Sequence, residues 1–150
     1  MKVREILAIK GTALFTITPR RFLSDAVAVM VEQDIGSLVV FDAGKMAGLL
    51  TFREVLVAIH HACASWGMLT VEEAMLRQPI VADPDMELDE LRRRMVETRQ
   101  RYFPVMEGGT LLGVVSFYDV AKAVLEEKDF ENRMLKDYIR NWPETGEKEV

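Results

Sequence analysis

The sequence predicts an α+β fold made of two β-α-β-β-α units, related by a pseudo-twofold axis and packed sheet against sheet. The main observation is an internal repeat at an offset of 65 residues, which pairs GLLTFREV at residues 48–55 with GVVSFYDV at residues 113–120. The same offset pairs Pro19 with Pro84, so the repeat extends well upstream of these segments. A unit of this size buries its own sheet poorly, which favours two units in one structure.

The first half carries the patterns of a strand, a helix, a hairpin and a second helix. Short β-branched runs indicate buried strands, and apolar residues at three- and four-residue steps indicate a helix. The predicted elements are a strand at 15–18, a helix capped by Ser24 and ended by glycine near 34–36, hairpin strands at 37–41 and 46–51, and a helix from Arg53 toward Ser65.

The second half repeats this order with different residues. Its predicted elements are a strand at 80–82, a helix capped by Asp89 with an apolar stripe of Leu91, Met95 and Val96, hairpin strands at 102–106 and 111–116, and a helix from Tyr118. Pro104 inside a strand pattern indicates an edge position or a ligand-facing bulge, because proline cannot donate to a ladder. A short lead-in, at residues 3–7 and 71–75, precedes each half.

These patterns divide the chain into residues 1–66, residues 67–125 and a helical tail at 126–150. The tail carries apolar side chains at three- and four-residue steps, at Phe130, Met134, Leu135, Tyr138, Ile139 and Trp142. Such a face needs a partner surface, either the chain's own core or a second copy. After Pro143 the polar sequence predicts a frayed end.

Composition and charge argue against several classes of function. A net charge of −5 with mixed signs gives no basic stripe for nucleic acid, and no basic amphipathic segment favours a membrane surface. The charged start predicts no secretory signal, and the apolar runs are too short to span a bilayer. Cys63 is the only cysteine, which predicts a reducing, cytoplasmic setting.

With the lead-in, the proline, the hairpin and the Gly-x-x-Ser/Thr-x-x-acid element in order twice, the chain resembles a tandem CBS-domain protein. The resemblance covers roughly residues 3–125, and two copies in the full strand and helix context are specific. It implies a pair of repeats, often called a Bateman module, that senses an adenosine-containing ligand such as AMP, ADP, ATP, S-adenosylmethionine or a dinucleotide. It also implies pairing into a flat homodimer.

The second repeat carries the site that the sequence favours. Ser116 and Asp119 lie where a strand passes into a helix, whose N-terminus attracts phosphate, and a carboxylate suits two ribose hydroxyls. Tyr102, Phe103 and Pro104 offer apolar surface to a purine. The resemblance implies two further contacts, adenine recognition by the backbone of Val81 and Ala82 and a phosphate contact from Arg101.

The first repeat departs from the family pattern and is ranked second as a site. Glu54 replaces the usual aspartate, whereas Arg53 matches an arginine that is common in the family and could face a phosphate. Arg20 and Arg21 stand where acidic residues are common after the proline. The residues assigned to this weaker site are Thr51, Arg53, Glu54, Ile17, Thr18 and Ser37.

Structural roles compete with these assignments. Ser116 with Asp119, and Thr51 with Glu54, have the residue types and spacing of helix caps, the second pair of a capping box. Gly48 and Gly113 suit close sheet packing, and Arg101 suits a solvated surface. His60, His61 and Cys63 lie in one short segment, too few ligands for a tetrahedral metal site, and Cys63 has no activating partner in sequence.

The resulting hypothesis is a regulatory adenine-nucleotide-binding module, homodimeric and without a catalytic cofactor, that signals in trans to a client protein. A ligand in the cleft would bias the dimer toward one arrangement. The alternative is a ligand-free interaction module that acts through dimerisation. An enzyme is not favoured, since neither repeat brings a base, a nucleophile and an oxyanion donor together in a recognisable motif.

Overall fold

The computed structural model describes residues 1–11 and 13–141, and it confirms the predicted fold class of two repeated α+β units. In chain order the elements are α1 (Val3–Lys10), β1 (Thr16–Ile17), α2 (Leu23–Gln33), β2 (Ser37–Asp42), β3 (Lys45–Thr51), α3 (Phe52–Ala62), a 3₁₀ helix (Cys63–Met68), α4 (Val71–Ala74), α5 (Leu88–Thr98), β4 (Tyr102–Glu107), β5 (Thr110–Ser116) and α6 (Phe117–Arg140).

The two predicted hairpins form with matching registers. β2 pairs with β3 and β4 with β5, both antiparallel, and the register shifts at equivalent places, after Val40 and after Val105. In the first repeat β1 adds a parallel third strand beside β2. The backbone of the duplicated unit therefore repeats down to the position of its bulge.

The second repeat lacks the predicted strand at residues 80–82, which is reduced to a single parallel bridge between Ala82 and Val105. In the first repeat the N–H of Val39 donates to the carbonyl of Phe15 at 3.2 Å. Pro104 holds the position of Val39 in the second repeat and has no N–H to donate. The Gln100 side chain bonds instead to both backbone groups of Ile80, at 2.7 and 3.0 Å.

The predicted helix caps Ser24 and Asp89 are wrong, because the N-caps of α2 and α5 each lie two residues earlier. Their N-cap residues, Phe22 and Glu87, make no side-chain cap bond. The first helical N–H groups instead donate to backbone carbonyls from distant segments, Leu23 to Leu69 at 2.7 Å and Leu88 to Met1 at 2.8 Å. Tertiary contacts therefore replace the local caps.

Two details at the other end of these helices also differ from the prediction. α2 ends through Asp34 in the left-handed conformation, with φ 52°, and not through Gly36. The equivalent residue of α5 is Arg99, with φ 60°. Val96 does not belong to the buried stripe of α5, since its side chain is 65% exposed, whereas Leu91 and Met95 are buried.

Each repeat has its own hydrophobic core, and the lead-in helices are exchanged between the two. Val3 and Ile6 of α1 pack in the core of the second repeat, around Phe103. Val71 of α4 packs in the core of the first repeat, around Leu38. The division of the chain at residues 66/67 and 125/126 stays a prediction. The exchanged helices α1 and α4 pack across the first of these boundaries, and α6 continues without a break through the second.

Among the described residues, the last helix exposes an apolar face. Buried side chains of α6 lie near its start, at Val120 and Ala123. From residue 130 onward, five large apolar side chains are 55–64% exposed, namely Phe130, Met134, Leu135, Tyr138 and Ile139. This part of α6 therefore does not pack on the chain's own core. Trp142 and the end predicted to fray after Pro143 lie outside the described residues.

Candidate ligand clefts

Two clefts lie between the repeats, one at each place where the motif of one repeat faces the helix-to-strand turn of the other. We name them by their basic residues. The arginine cleft, of about 580 Å³, is lined by Thr51, Arg53, Glu54, Arg99, Arg101 and Tyr102, among others. The lysine cleft, of about 310 Å³, is lined by Lys10, Phe15, Asp34, Ser37, Tyr102 and Ser116, among others.

The pseudo-twofold relation groups the site residues differently from the sequence-based assignment. Arg101 was assigned to the site of Ser116 and Asp119, yet it lines the cleft of Thr51 and Glu54. Ser37 was assigned with Thr51, yet it lines the cleft of Ser116. The cause is geometric, since each cleft takes its motif from one repeat and the start of the opposing hairpin from the other.

The arginine cleft combines one carboxylate with three guanidinium groups. Arg53 comes from the first turn of α3, and Arg99 and Arg101 flank the turn between α5 and β4. Within residues 1–11 and 13–141, none of these three arginines forms an ion pair. Their charges are therefore left for solvent or for an anionic ligand.

The carboxylate of this cleft is held by the start of α3. Glu54 Oε1 accepts hydrogen bonds from the N–H and the hydroxyl of Thr51, at 3.0 and 2.6 Å. The Thr51 hydroxyl in turn accepts from the N–H of Arg53 at 3.2 Å. The capping box expected from the spacing is therefore present. It fixes the carboxylate and the hydroxyl at the cleft wall.

Asp119 is engaged by a cation that comes from outside both motifs. Lys10 Nζ, at the end of α1, lies 2.7 Å from Asp119 Oδ2 and also donates to the carbonyl of Val114 at 2.8 Å. Lys10 lines the lysine cleft on one side and a hollow of about 230 Å³ on the other, and Asp119 lines only that second hollow. The lysine therefore stands between the cleft and the aspartate.

The start of α6 is capped in the same way as that of α3. Asp119 Oδ2 accepts from the N–H of Ser116 at 2.8 Å, and the Ser116 hydroxyl accepts from the N–H of Asp119 at 3.1 Å. The N–H of Phe117 donates to the carbonyl of Arg101 at 2.7 Å. These groups already have partners, so this helix N-terminus offers fewer free donors to a phosphate than the sequence suggested.

Tyr102 contributes to both clefts. It begins β4, and its hydroxyl end approaches Gly36, where a side chain of any size would collide with it. Burial raises the pKa of the Tyr102 phenol above its ordinary value, while the Arg101 charge opposes that rise and the Asp119 charge adds to it. The phenol is therefore neutral near pH 7 and acts as a donor and acceptor on an apolar ring.

Other residues of the predicted purine site do not reach a cleft wall. Phe103 is fully buried in the core, and Pro104 is buried beside it, so neither offers surface to a base. Ala82 is also fully buried, and its N–H and carbonyl bond to Pro104 and Met106 of β4 at 2.8 and 3.0 Å. The backbone of Ala82 is therefore not free to read an adenine.

The remaining assigned residues lie near β1 and its counterpart. Ile17 is buried in the first core, while Thr18 and Val81 are exposed. Phe15, one residue before β1, lines the lysine cleft in place of the assigned Ile17 and Thr18.

Two basic cleft residues, Arg99 and Lys10, were not predicted from the sequence. Arg99 stands 65 residues after Asp34, so the repeat offset would have found it once Asp34 was known to face a cleft. Lys10 has no such signal, because the lead-ins match at a different offset and α1 packs on the opposite repeat.

The described residues offer neither a cluster of metal ligands nor a helix that spans a membrane. In the part of the chain that the structure describes, no group of three or more His, Cys, Asp or Glu side chains is placed to hold a metal ion. The rings of His60 and His61 pack edge to face at 5.2 Å, and the Cys63 side chain is exposed. Within the same residues, no helix combines the length and the apolar character that crossing a bilayer requires.

Comparisons with known proteins agree with the repeats. A family model described as CBS domain matches residues 3–61 and 71–126. A crystal structure of a CBS-domain containing protein from Agrobacterium tumefaciens superposes with a TM-score of 0.79 at 31% identity, covering 82% of this chain and 98% of that one. The CBS domain-containing protein YhcV of Bacillus subtilis is 26% identical, over 73% of this chain and 78% of that protein.

A third relative is much longer than this chain. An inosine-5'-monophosphate dehydrogenase from Korarchaeum cryptofilum is 31% identical over 71% of this chain. The match covers only 21% of that enzyme, so most of the enzyme lies outside the similar region.

Proposed function

Because the chain belongs to the CBS-domain family, a module that is commonly regulatory and nucleotide-binding, we propose that it senses an adenosine-containing nucleotide in a cleft between its repeats. The nucleotides of this class are AMP, ADP, ATP and NAD, and S-adenosylmethionine is the related adenosine ligand that carries no phosphate. In this proposal the chain catalyses no reaction on that ligand and acts on a client protein in trans.

One observation carries the proposal. The arginine cleft places a hydroxyl, a carboxylate and the Arg53 guanidinium at a helix start, opposite the guanidinium groups of Arg99 and Arg101, around a volume of about 580 Å³. A nucleotide presents ribose hydroxyls that donate to a carboxylate and phosphates that accept from arginine in paired bonds. Tyr102 adds an aromatic ring at the same wall. The cleft supplies one group of the right kind for each part of a nucleotide.

The proposed mechanism is a population shift. Each cleft is walled by both repeats, so a bound nucleotide contacts both and favours the arrangement in which those contacts are made. The nucleotide can shift the equilibrium between the two arrangements only by the difference between its binding free energies for them. A client that contacts both repeats would read that bias.

Thermal unfolding with a panel of nucleotides tests the proposal. A ligand of the folded chain at 100 times its Kd adds about 2.7 kcal/mol of stability, which raises the Tm by about 5 °C or more. The panel is AMP, ADP, ATP, NAD and S-adenosylmethionine, with guanosine nucleotides as the matched control. No rise with any of them up to millimolar concentration contradicts the proposal.

A second candidate function is a ligand-free interaction module, and the exposed face of α6 favours it. In the part of α6 that the structure describes, five large apolar side chains from residue 130 onward stand at three- and four-residue steps and are more than half exposed. We propose that this face pairs with a second copy, in a homodimer that either function would use. In the cytoplasmic setting expected from the sequence, the dimer would be the form that a client meets.

Sedimentation of substituted chains tests the dimer. Met134→Glu places a charge on the apolar face, and Lys136→Glu places the same charge on the opposite side of the same helix. The first change is expected to yield a monomer and the second to leave the dimer intact. A monomeric unchanged chain, or equal behaviour of the two variants, argues against this interface.

A further inference from the structure

The two clefts carry opposite charges at equivalent positions. The residue that ends the preceding helix in the left-handed conformation is Asp34 in the lysine cleft and Arg99 in the arginine cleft. Two residues later, Gly36 lines the first and Arg101 the second. Both helices end in a left-handed residue, so at these positions the clefts differ in the side chains that the shared turn carries.

The carboxylates of the two motifs also differ in their partners. Asp119 is 15% exposed and is paired with Lys10 at 2.7 Å. Among the described residues, no cation pairs with Glu54. Each carboxylate already accepts two hydrogen bonds, so the two differ in charge: an ammonium compensates Asp119, and no cation compensates Glu54 among the described residues.

We infer that the chain binds one anionic ligand, in the arginine cleft, and that Lys10 closes the other cleft by occupying Asp119 from within. This deepens the proposed function by assigning its site, and it reverses the ranking suggested by the sequence. It also assigns Arg99 as a phosphate-binding residue and Lys10 as an internal counter-ion.

Charge and hydrogen-bond capacity fix the ligand class. Three guanidinium groups against one carboxylate leave the arginine cleft with a surplus of two positive charges. A guanidinium favours bidentate contact with phosphate, and one terminal phosphate, with a charge of about −1.5 to −2 near pH 7, matches that surplus. The ligand therefore carries at least one phosphate.

Titration calorimetry tests the site with two probes, ATP and inorganic tripolyphosphate. The unchanged chain is expected to bind one ATP per chain. Arg99→Ala is expected to weaken both probes at least tenfold. Arg93→Ala removes an exposed arginine from the same helix α5, outside the cleft, and is expected to leave both affinities unchanged.

The lysine is tested by stoichiometry. Lys10→Met frees Asp119 beside a cleft that holds Asp34, and is therefore expected to add a site for the uncharged nucleoside adenosine, without weakening ATP binding in the arginine cleft. Lys122→Met removes the same charge from the neighbouring hollow and is expected to keep one site. If Lys10→Met does not fold, the stoichiometry of the unchanged chain and the Arg99→Ala result decide the inference.

Several outcomes overturn the inference. Two sites in the unchanged chain, equal effects of Arg99→Ala and Arg93→Ala, or loss of all binding in Lys10→Met each contradict it, as does the absence of binding by either probe. The proposed function fails separately. Binding of tripolyphosphate without any preference for adenosine nucleotides would keep the arginine cleft as an anion site and reject nucleotide sensing. If adenosine binds as tightly as ATP, the phosphates contribute nothing to binding. That result would reject the arginine cleft as an anion site and keep the sensing of an adenosine ligand.

Discussion

The two repeats share a backbone and differ in what their clefts contain. Their hairpins bulge at equivalent positions, and both helices before the hairpins end in a left-handed residue, Asp34 in one and Arg99 in the other. A left-handed residue with a side chain costs roughly 1–2 kcal/mol, and both repeats accept that cost in order to make the same turn. The comparison shows that duplication preserved the turn while the charge placed on it diverged.

The glycines of the two motifs give the strongest test of this comparison. Gly48→Ala would place its Cβ 2.6 Å from the carbonyl oxygen of Leu76, which belongs to backbone and cannot turn away. Overpacking of this kind costs about 1–3 kcal/mol, and contact with backbone favours the upper end. Urea unfolding measures the loss.

Gly113→Ala is the matched control in the second repeat. Its Cβ would lie 3.1 Å from a terminal methyl of Leu7, which can change rotamer. The cost is therefore expected to stay below about 1 kcal/mol, offset in part by the lower chain entropy of alanine in the unfolded state. Equal losses in the two variants would mean that the repeats pack their lead-in segments alike, against the structure.

The sequence predicted the elements whose signals are local. The hairpin turns carry Gly44 and the pair Gly108 and Gly109, and all three adopt positive φ in the structure. The helix starts were missed because their acceptors are distant, as when the N–H of Leu88 donates to the carbonyl of Met1. Helix-cap preferences consider only residues next to the helix start, so they cannot predict a backbone carbonyl acceptor from a distant segment.

The site could be predicted in its residue types and not in its grouping. Ser116, Asp119, Thr51 and Glu54 take the positions at the helix starts that their spacing indicates. Which opposing hairpin each pair meets depends on how the repeats pack, and neighbours along the chain gave the wrong partner for Arg101. The same packing brings Lys10 to Asp119 across 109 residues of sequence.

The second test concerns Gln100, whose side chain bonds the segment that does not form a strand beside β4. Gln100→Ala removes the side chain that bonds Ile80, where Pro104 has no N–H to offer. Because Ile80 is partly exposed, water replaces some of these bonds, and the expected loss is about 1 kcal/mol. Unfolding in urea provides the measurement.

Pro104→Val completes this test by copying Val39 of the first repeat. In the Gln100→Ala background, the new N–H is expected to donate to the carbonyl of Ile80 as Val39 donates to Phe15, and to recover part of the lost stability. A double-mutant cycle over the two positions measures the coupling. Simple additivity of the two changes would show that Gln100 does not stand in for the missing donor.

The smallest expected effect is on the pH dependence of stability, and it distinguishes Tyr102 from Ser37, which holds the equivalent position 65 residues earlier. Burial raises the pKa of Tyr102, so the folded chain holds the phenol proton more tightly than the unfolded chain does. The resulting stability is fully present below the ordinary tyrosine pKa of about 10 and is lost as pH rises through the pKa of the folded chain.

Tyr102→Phe removes this pH dependence, whereas Ser37→Ala leaves it, and urea unfolding between pH 8 and pH 11 compares the two variants. If the unchanged chain and Tyr102→Phe lose stability in parallel over that range, Tyr102 is not sheltered between the repeats, and the contact that links the two clefts is looser than the structure places it.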